Sequence, residues 1–127
     1  MTKVRFDPTA TGIVVEVKLS ANLIATTRMI FDTGASFLLI SNKLARDIGL
    51  KIDLKKTLKT TTASSVETAP LVIIPKVSVL DSEIKNVEAL VMDLPPESGI
   101  SGLLGLSFIK HFNVNIDFKH GKLTLKK

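Results

Sequence analysis

Short runs in which apolar and polar residues alternate make up much of the chain. Between residues 12 and 19 the apolar positions approach a period of two, and residues 24–31 follow as a second apolar run. A period of two is typical of strands with one buried face. Ser20-Ala21-Asn22 lies between the two runs and predicts a turn. We expect these residues to form a hairpin that leads the chain to Asp32.

The same reasoning predicts strands through the rest of the chain. They cover residues 4–6, 37–40, 57–62, 66–74, 77–80, 84–92, 114–118 and 123–125. Pro70 is expected to interrupt the run in which it lies, and Asp81-Ser82-Glu83 is expected to form a turn. The last two runs predict a terminal hairpin, which either pairs with a partner chain through its edge or forms part of the barrel.

Helical spacing of apolar residues occurs in residues 42–48 and 106–112. Ser41 is a candidate N-cap for the first segment, and Gly49 suits the position just after a helix end. Many short strands with so few helical segments indicate a mainly β fold, a small β-barrel with one or two short helices.

Length and composition favour one globular domain over residues 1–127, because 45% of the residues are hydrophobic and the chain is long enough to bury a core. The chain has no cysteine, which excludes disulfides, a thiol nucleophile and cysteine-based metal sites. Its only histidines are His111 and His120, so a zinc centre rich in histidine is not expected. The prediction is a protein without metal or cofactor.

The net charge of +5 raises the question of a nucleic-acid partner. However, the basic residues are spread along the chain, and the densest group, Lys51, Lys55, Lys56 and Lys59, has no interleaved aromatic residues. We interpret these lysines as a solvated surface, and a nucleic-acid-binding barrel is the weakest alternative. The N-terminal residues lack an apolar signal core, and no apolar run is long enough to span a bilayer. We therefore expect a cytoplasmic protein without a membrane partner in these residues.

Asp32-Thr33-Gly34 lies between two apolar, strand-like runs. An ionisable side chain at such a place is either buried at a cost or held in a cleft for use. The alternative is an ordinary turn aspartate that bonds to local backbone. The tripeptide is the one place in the sequence where we expect chemistry.

With its apolar flanks, Asp32-Thr33-Gly34-Ala35-Ser36 resembles the active-site loop of aspartic proteases, and the chain length resembles the single-domain, retropepsin-like branch. Further along the chain, Gly102-Leu103-Leu104-Gly105 matches the apolar-apolar-Gly element that this family packs behind the catalytic loop. The resemblance therefore assigns Leu104 and Gly105 to the support of the active site. It covers roughly residues 11–126 and implies a closed barrel of the acid-protease type and an aspartic endopeptidase activity.

An aspartic mechanism needs two neighbouring carboxylates that share one proton. This chain has one Asp-Thr-Gly, and no other aspartate precedes Thr-Gly or Ser-Gly. A working pair must then come from two copies of Asp32 that meet across the two-fold axis of a homodimer. Asp32 is the predicted catalytic residue, and a second copy of the chain is the predicted partner.

The resemblance also assigns roles to the neighbours of the catalytic aspartate. Thr33 would hydrogen-bond across the dimer, and Gly34 would bring its N–H close to the carboxylates. Ala35 and Ser36 would lie where the substrate backbone passes. The expected substrate is an extended peptide or an unfolded protein, bound chiefly through main-chain hydrogen bonds.

The hairpin near residues 60–68 matches the position of the flap that closes over the substrate in this family. Ala63, Ser64 and Ser65 at its tip are therefore predicted to bind substrate. The tip departs from the family pattern because it has no glycine and no aromatic residue. This departure leaves open an alternative function, a proteolytically silent retropepsin-like module that dimerises or binds peptides.

Overall fold

The computed structural model describes residues 1–61, 66–95 and 99–127, which form a mainly β structure. The strands are β1 (Thr2–Arg5), β2 (Val14–Ser20), β3 (Ile24–Phe31), β4 (Leu38–Ile40), β5 (Thr57–Thr61), β6 (Val66–Val79), β7 (Ser82–Val91), β8 (Gly102–Leu104), β9 (Asn113–Asp117) and β10 (Lys122–Lys126). The helices are α1 (Asn42–Asp47) and α2 (Leu106–Ile109).

Six strands close into a barrel in the order β2-β3-β8-β4-β7-β6, and β6 pairs back with β2. Closure gives every barrel strand a neighbour on both sides and so removes the exposed edges of an open sheet. β5 pairs in antiparallel register with residues 66–70, the first part of β6. The prediction of a small closed β-barrel with short helices is confirmed.

A second sheet, with the order β1-β10-β9, joins the two ends of the described chain. Thr2 pairs with Leu125, and Lys122 pairs with Asp117, both in antiparallel register. Leu123 and Leu125 are buried in the same apolar cluster as the barrel residues. The terminal hairpin predicted from the sequence is therefore packed against the barrel core by one of its faces.

β6 differs from the sequence prediction because it runs without a break through Pro70 and Pro75. Its register with β7 is the same on both sides of Pro75. Proline has a φ close to that of an extended strand, so it removes one N–H donor without bending the chain. The predicted interruption at Pro70 is wrong. The turn that follows is formed by Leu80 and Asp81, and Ser82 already belongs to β7.

The ends of α1 follow the predicted signals. The Oγ of Ser41 accepts a hydrogen bond from the N–H of Leu44 at 3.0 Å, and Gly49 after the helix has a φ of +73°. α2 is shorter than predicted and ends at Ile109. Beyond it the N–H groups of His111 and Phe112 bond to carbonyls three residues back, so the regular α-helical pattern stops.

Phe108 of α2 anchors the helix in the core. Its side chain is fully buried, and its ring centroid lies 5.0 Å from that of Phe112. Paired rings at this distance add to the stabilisation that comes from burial alone. Among the described residues, no helix is both long enough and apolar enough to cross a membrane.

We expect Phe108→Ala to lower the free energy of unfolding by about 3–5 kcal/mol, because it removes a buried ring and leaves a cavity. Leu106→Ala is the control on the same helix, since the Leu106 side chain is 38% exposed. It should cost less than about 1 kcal/mol. Urea unfolding followed by circular dichroism measures both variants, and equal losses would contradict this account of the core.

Candidate active site

Asp32 is the first residue after β3, and the barrel fixes the point at which it leaves the sheet. β3 lies parallel to β8, with Phe31 opposite Leu104. The N–H of Asp32 donates a hydrogen bond to the carbonyl of Leu104 at 2.9 Å. The backbone of Asp32 therefore stays tied to β8, while its side chain is only half-buried.

The Asp32 carboxylate is oriented by its own loop. The N–H of Gly34 donates to Oδ1 of Asp32 at 2.9 Å, and the N–H of Ala35 donates to the Asp32 carbonyl at 3.3 Å. A Cβ at position 34 would lie 3.2 Å from the same Oδ1, which is closer than a normal contact. The glycine thus leaves room for the carboxylate beside its own N–H.

The first turn of α2 holds the loop from behind. The N–H of Leu106 donates to the carbonyl of Ala35 at 2.8 Å, and the N–H of Ser107 donates to the carbonyl of Ser36 at 3.0 Å. N–H groups in the first turn of a helix have no partner within the helix, so the loop carbonyls satisfy them. Gly105 permits this contact, since a Cβ there would lie 2.2 Å from the Phe37 carbonyl oxygen.

Ser107 is a buried residue that sequence reasoning missed. Its Oγ accepts from the N–H of Leu38 at 3.0 Å and donates to the carbonyl of Glu88 at 2.7 Å. One hydroxyl therefore links α2 to the start of β4 and to β7. The only signal for it in the sequence is a single hydroxyl residue within an apolar helical run, and that signal does not identify its partners.

A cleft of about 510 Å³ opens beside Asp32. Of the residues predicted from the sequence, Asp32, Gly34, Ala35 and Ser36 line it. Residues 59–61 of β5 also line the cleft, and they include Lys59, whose side chain is exposed. The predicted tip residues Ala63, Ser64 and Ser65 lie outside the described residues. Leu104 and Gly105 are buried behind the loop instead of lining the cleft.

Asp32 also borders a second groove, of about 400 Å³. Thr33 lies in this groove and not in the cleft. Most of the remaining lining is apolar and includes Ile13, Ile30, Ile116 and Phe118. Asp32 thus borders both the cleft and a groove that contains several apolar side chains.

Local hydrogen bonds act on three carboxylates that do not line the cleft. Hydrogen bonds from Thr9, from Thr2 and from His120 lower the pKa values of Asp7, Asp81 and Asp117, respectively. Across the described parts of the chain, no group of three or more His, Asp or Glu side chains is close enough to hold a metal ion.

The aspartyl protease family model matches residues 6–108, which include the cleft loop and most of α2. The chain belongs to the aspartyl protease family. This match spans the Asp32 loop, the Leu104-Gly105 element and the barrel between them. It confirms the family resemblance drawn from the motifs.

Two solved structures have a fold similar to that of this chain. A retropepsin-like aspartic protease from Rickettsia conorii has a TM-score of 0.69 and 24% identity, with 98% of this chain and 88% of that chain covered. The retroviral protease-like domain of Ddi1 from Leishmania major has a TM-score of 0.61 and 19% identity, with 92% and 90% covered. No curated protein matches the chain. At these identities the two structures support the fold only.

We expect Gly105→Ala to destabilise the protein by about 1–3 kcal/mol or more, because the added methyl group would press on the carbonyl oxygens of the loop. Gly12→Ala is the matched control, since the nearest atom to a Cβ there is 3.9 Å away. Chemical denaturation of both variants measures the difference. A Gly105→Ala protein as stable as Gly12→Ala would disprove the close contact between the loop and α2.

Proposed function

We propose that the protein is an aspartic endopeptidase that hydrolyses peptide bonds as a homodimer. The observation that carries this proposal is the Asp32 carboxylate, which is held by the Gly34 N–H at the edge of an open cleft. Membership of the aspartyl protease family supports the reaction class. The substrate is an extended peptide or an unfolded segment of a protein, which fits a cleft walled on one side by a strand.

In the proposed reaction, two copies of Asp32 share one proton. The ionised carboxylate takes a proton from a water molecule, whose oxygen attacks the scissile carbonyl carbon. The protonated carboxyl donates its proton to the carbonyl oxygen, which forms a neutral tetrahedral diol. Collapse of this intermediate returns a proton to the leaving nitrogen and breaks the C–N bond. The pKa values of the two groups belong to the pair and not to either copy.

The need for a second copy follows from the sequence, since the chain contains one Asp-Thr-Gly. Two Asp32 carboxylates can share a proton only if the two-fold axis passes beside them. Residues next to Asp32 on the side away from its own cleft would then lie in the interface. Activity would depend on protein concentration, because the monomer has half of the site.

Surface features near Asp32 support this placement of the interface. The groove that contains Thr33 is lined by Phe118, which is 65% exposed, and by Ile116 of β9. Within the described residues β9 pairs with β10 alone, so its other edge has unpaired backbone groups. An exposed edge with apolar side chains suits a partner strand. We therefore propose the Phe118 groove and the β9 edge as the dimer surface.

Two expectations from the sequence stay predictions. They are that residues 1–127 form a single domain and that the protein is cytoplasmic.

We expect Asp32→Asn to reduce hydrolysis of an unfolded protein substrate by at least about a thousandfold, because amides cannot replace the shared-proton pair. The parent should show a bell-shaped dependence of kcat/KM on pH. Asp47→Asn is the control, since Asp47 is an exposed helix residue paired with Lys43. Cleavage that persists in Asp32→Asn would refute the mechanism. A parent that binds peptide without cutting it would instead favour the silent binding module.

We expect Phe118→Asp to raise the dimer dissociation constant by at least about tenfold, because it places a charge in an apolar contact. Hydrolysis measured at low protein concentration should fall in parallel and recover at high concentration. Leu54→Asp is the control, because Leu54 is 78% exposed and lines neither the cleft nor the groove. Sedimentation velocity measures the association. An unchanged dissociation constant would place the interface elsewhere.

A further inference from the structure

Lys59 is the only cation among the described residues that line the Asp32 cleft. Asp32 is the only other ionisable group in that lining, and in the proposed mechanism it is engaged in the reaction. Lys59 lies on β5 opposite Thr68 of β6, and its side chain is exposed. The cleft therefore has one positive charge that is free to meet a substrate.

No neighbouring acid neutralises this charge in the described part of the chain. The ion pairs there are Lys43 with Asp47 and His120 with Asp117. Glu67 lies on the neighbouring strand β6, where it is the register partner of Thr60 and not of Lys59. Since successive strand residues point to opposite faces, Glu67 lies on the face away from Lys59. The Lys59 ammonium remains available for a carboxylate.

Part of the lining of the cleft is aliphatic. Leu90, Met92, Leu94 and Leu103 line it, and all except Leu90 are partly exposed. Partly exposed aliphatic side chains lose water when an aliphatic side chain of a ligand covers them, which is favourable by roughly 25 cal/mol per Å². The cleft thus combines an apolar surface with a single cation.

We propose that this cleft selects peptides that carry an acidic side chain close to a large aliphatic one. The aliphatic side chain packs on the Leu103 and Met92 surface, and the acidic side chain pairs with Lys59. In an extended peptide, side chains two residues apart point the same way and lie about 6.6–6.8 Å apart. Leu-x-Glu and Glu-x-Leu place the two side chains on one face of the peptide, so they are the patterns we propose and test. This inference rests on the proposed function in one respect, namely that peptides bind in this cleft.

A lysine in place of the glutamate would put two ammonium groups in one cleft. A glutamine would keep the shape of the side chain and lose the attraction. Exposed ion pairs contribute about 0.2–1 kcal/mol, so the expected preference for glutamate over glutamine is about 1.4-fold to fivefold. In a two-fold dimer each subunit supplies a copy of Lys59, so the preference should occur on both sides of the scissile bond.

The first test measures kcat/KM for peptides that differ only in having Glu, Gln or Lys two residues from a Leu. The parent should prefer Glu over Gln over Lys. Lys59→Met should remove the difference between Glu and Gln, and Lys59→Glu should reverse the order of Glu and Lys. Lys18→Met is the control, because Lys18 is an exposed β2 residue outside the cleft, and it should keep the parent order. A Glu preference that survives Lys59→Met would overturn the proposal.

The second test separates selectivity from catalysis. Fluorescence anisotropy measures binding of the same peptides to Asp32→Asn protein, with and without Lys59→Met. We expect the Glu peptide to bind most tightly, the preference to shrink as salt rises, and Lys59→Met to abolish it. If the parent cuts nothing but this pattern holds, the endopeptidase proposal fails and the selectivity stands. If no peptide binds, or if Lys59→Met leaves the order of affinities unchanged, the selectivity proposal is wrong.

Discussion

The contact between the Asp32 loop and the segment that runs from β8 into α2 is the constraint on which the site depends. β8 lies between β3 and β4 in the barrel, so the loop joining those two strands must cross the end of β8. The helix that follows β8 meets the loop there and donates its free N–H groups to the loop carbonyls. Only a residue without a Cβ fits at Gly105, where the two backbones touch.

The strand pairings of the closed barrel hold this crossing in place. β8 pairs in parallel with β3 and antiparallel with β4, and a Cβ at Gly102 would lie 2.0 Å from the Leu39 carbonyl oxygen. Ser107 then ties the start of β4 to β7 through one buried hydroxyl. Since a buried donor or acceptor without a partner is costly, these groups favour one position of the loop. The position of the Asp32 loop is thus set by strands far apart in sequence.

The Asp32 carboxylate borders two concave surfaces. In the proposed function, the cleft with Lys59 binds the substrate and the groove beside Phe118 binds a second copy. In the proposed dimer, association would complete the reacting pair, while the charge of the cleft would select the peptide. Binding selectivity would therefore depend on Lys59 of β5, and catalytic competence on Asp32 and on the surface beside Phe118.

The sequence by itself determined the features that depend on near neighbours. The β-rich pattern, the Ser41 cap, the Gly49 helix end and the Asp32-Thr33-Gly34 loop could be predicted because their signals are local. The long-range pairings were decided by the tertiary structure. β6 continues through Pro70 because it is paired with neighbouring strands. The fold also brings Ser107 to the Leu38 and Glu88 backbones and places the exposed Lys59 beside the Asp32 cleft. No local pattern encodes these contacts, because they depend on strand order and register, which are settled only when the barrel closes.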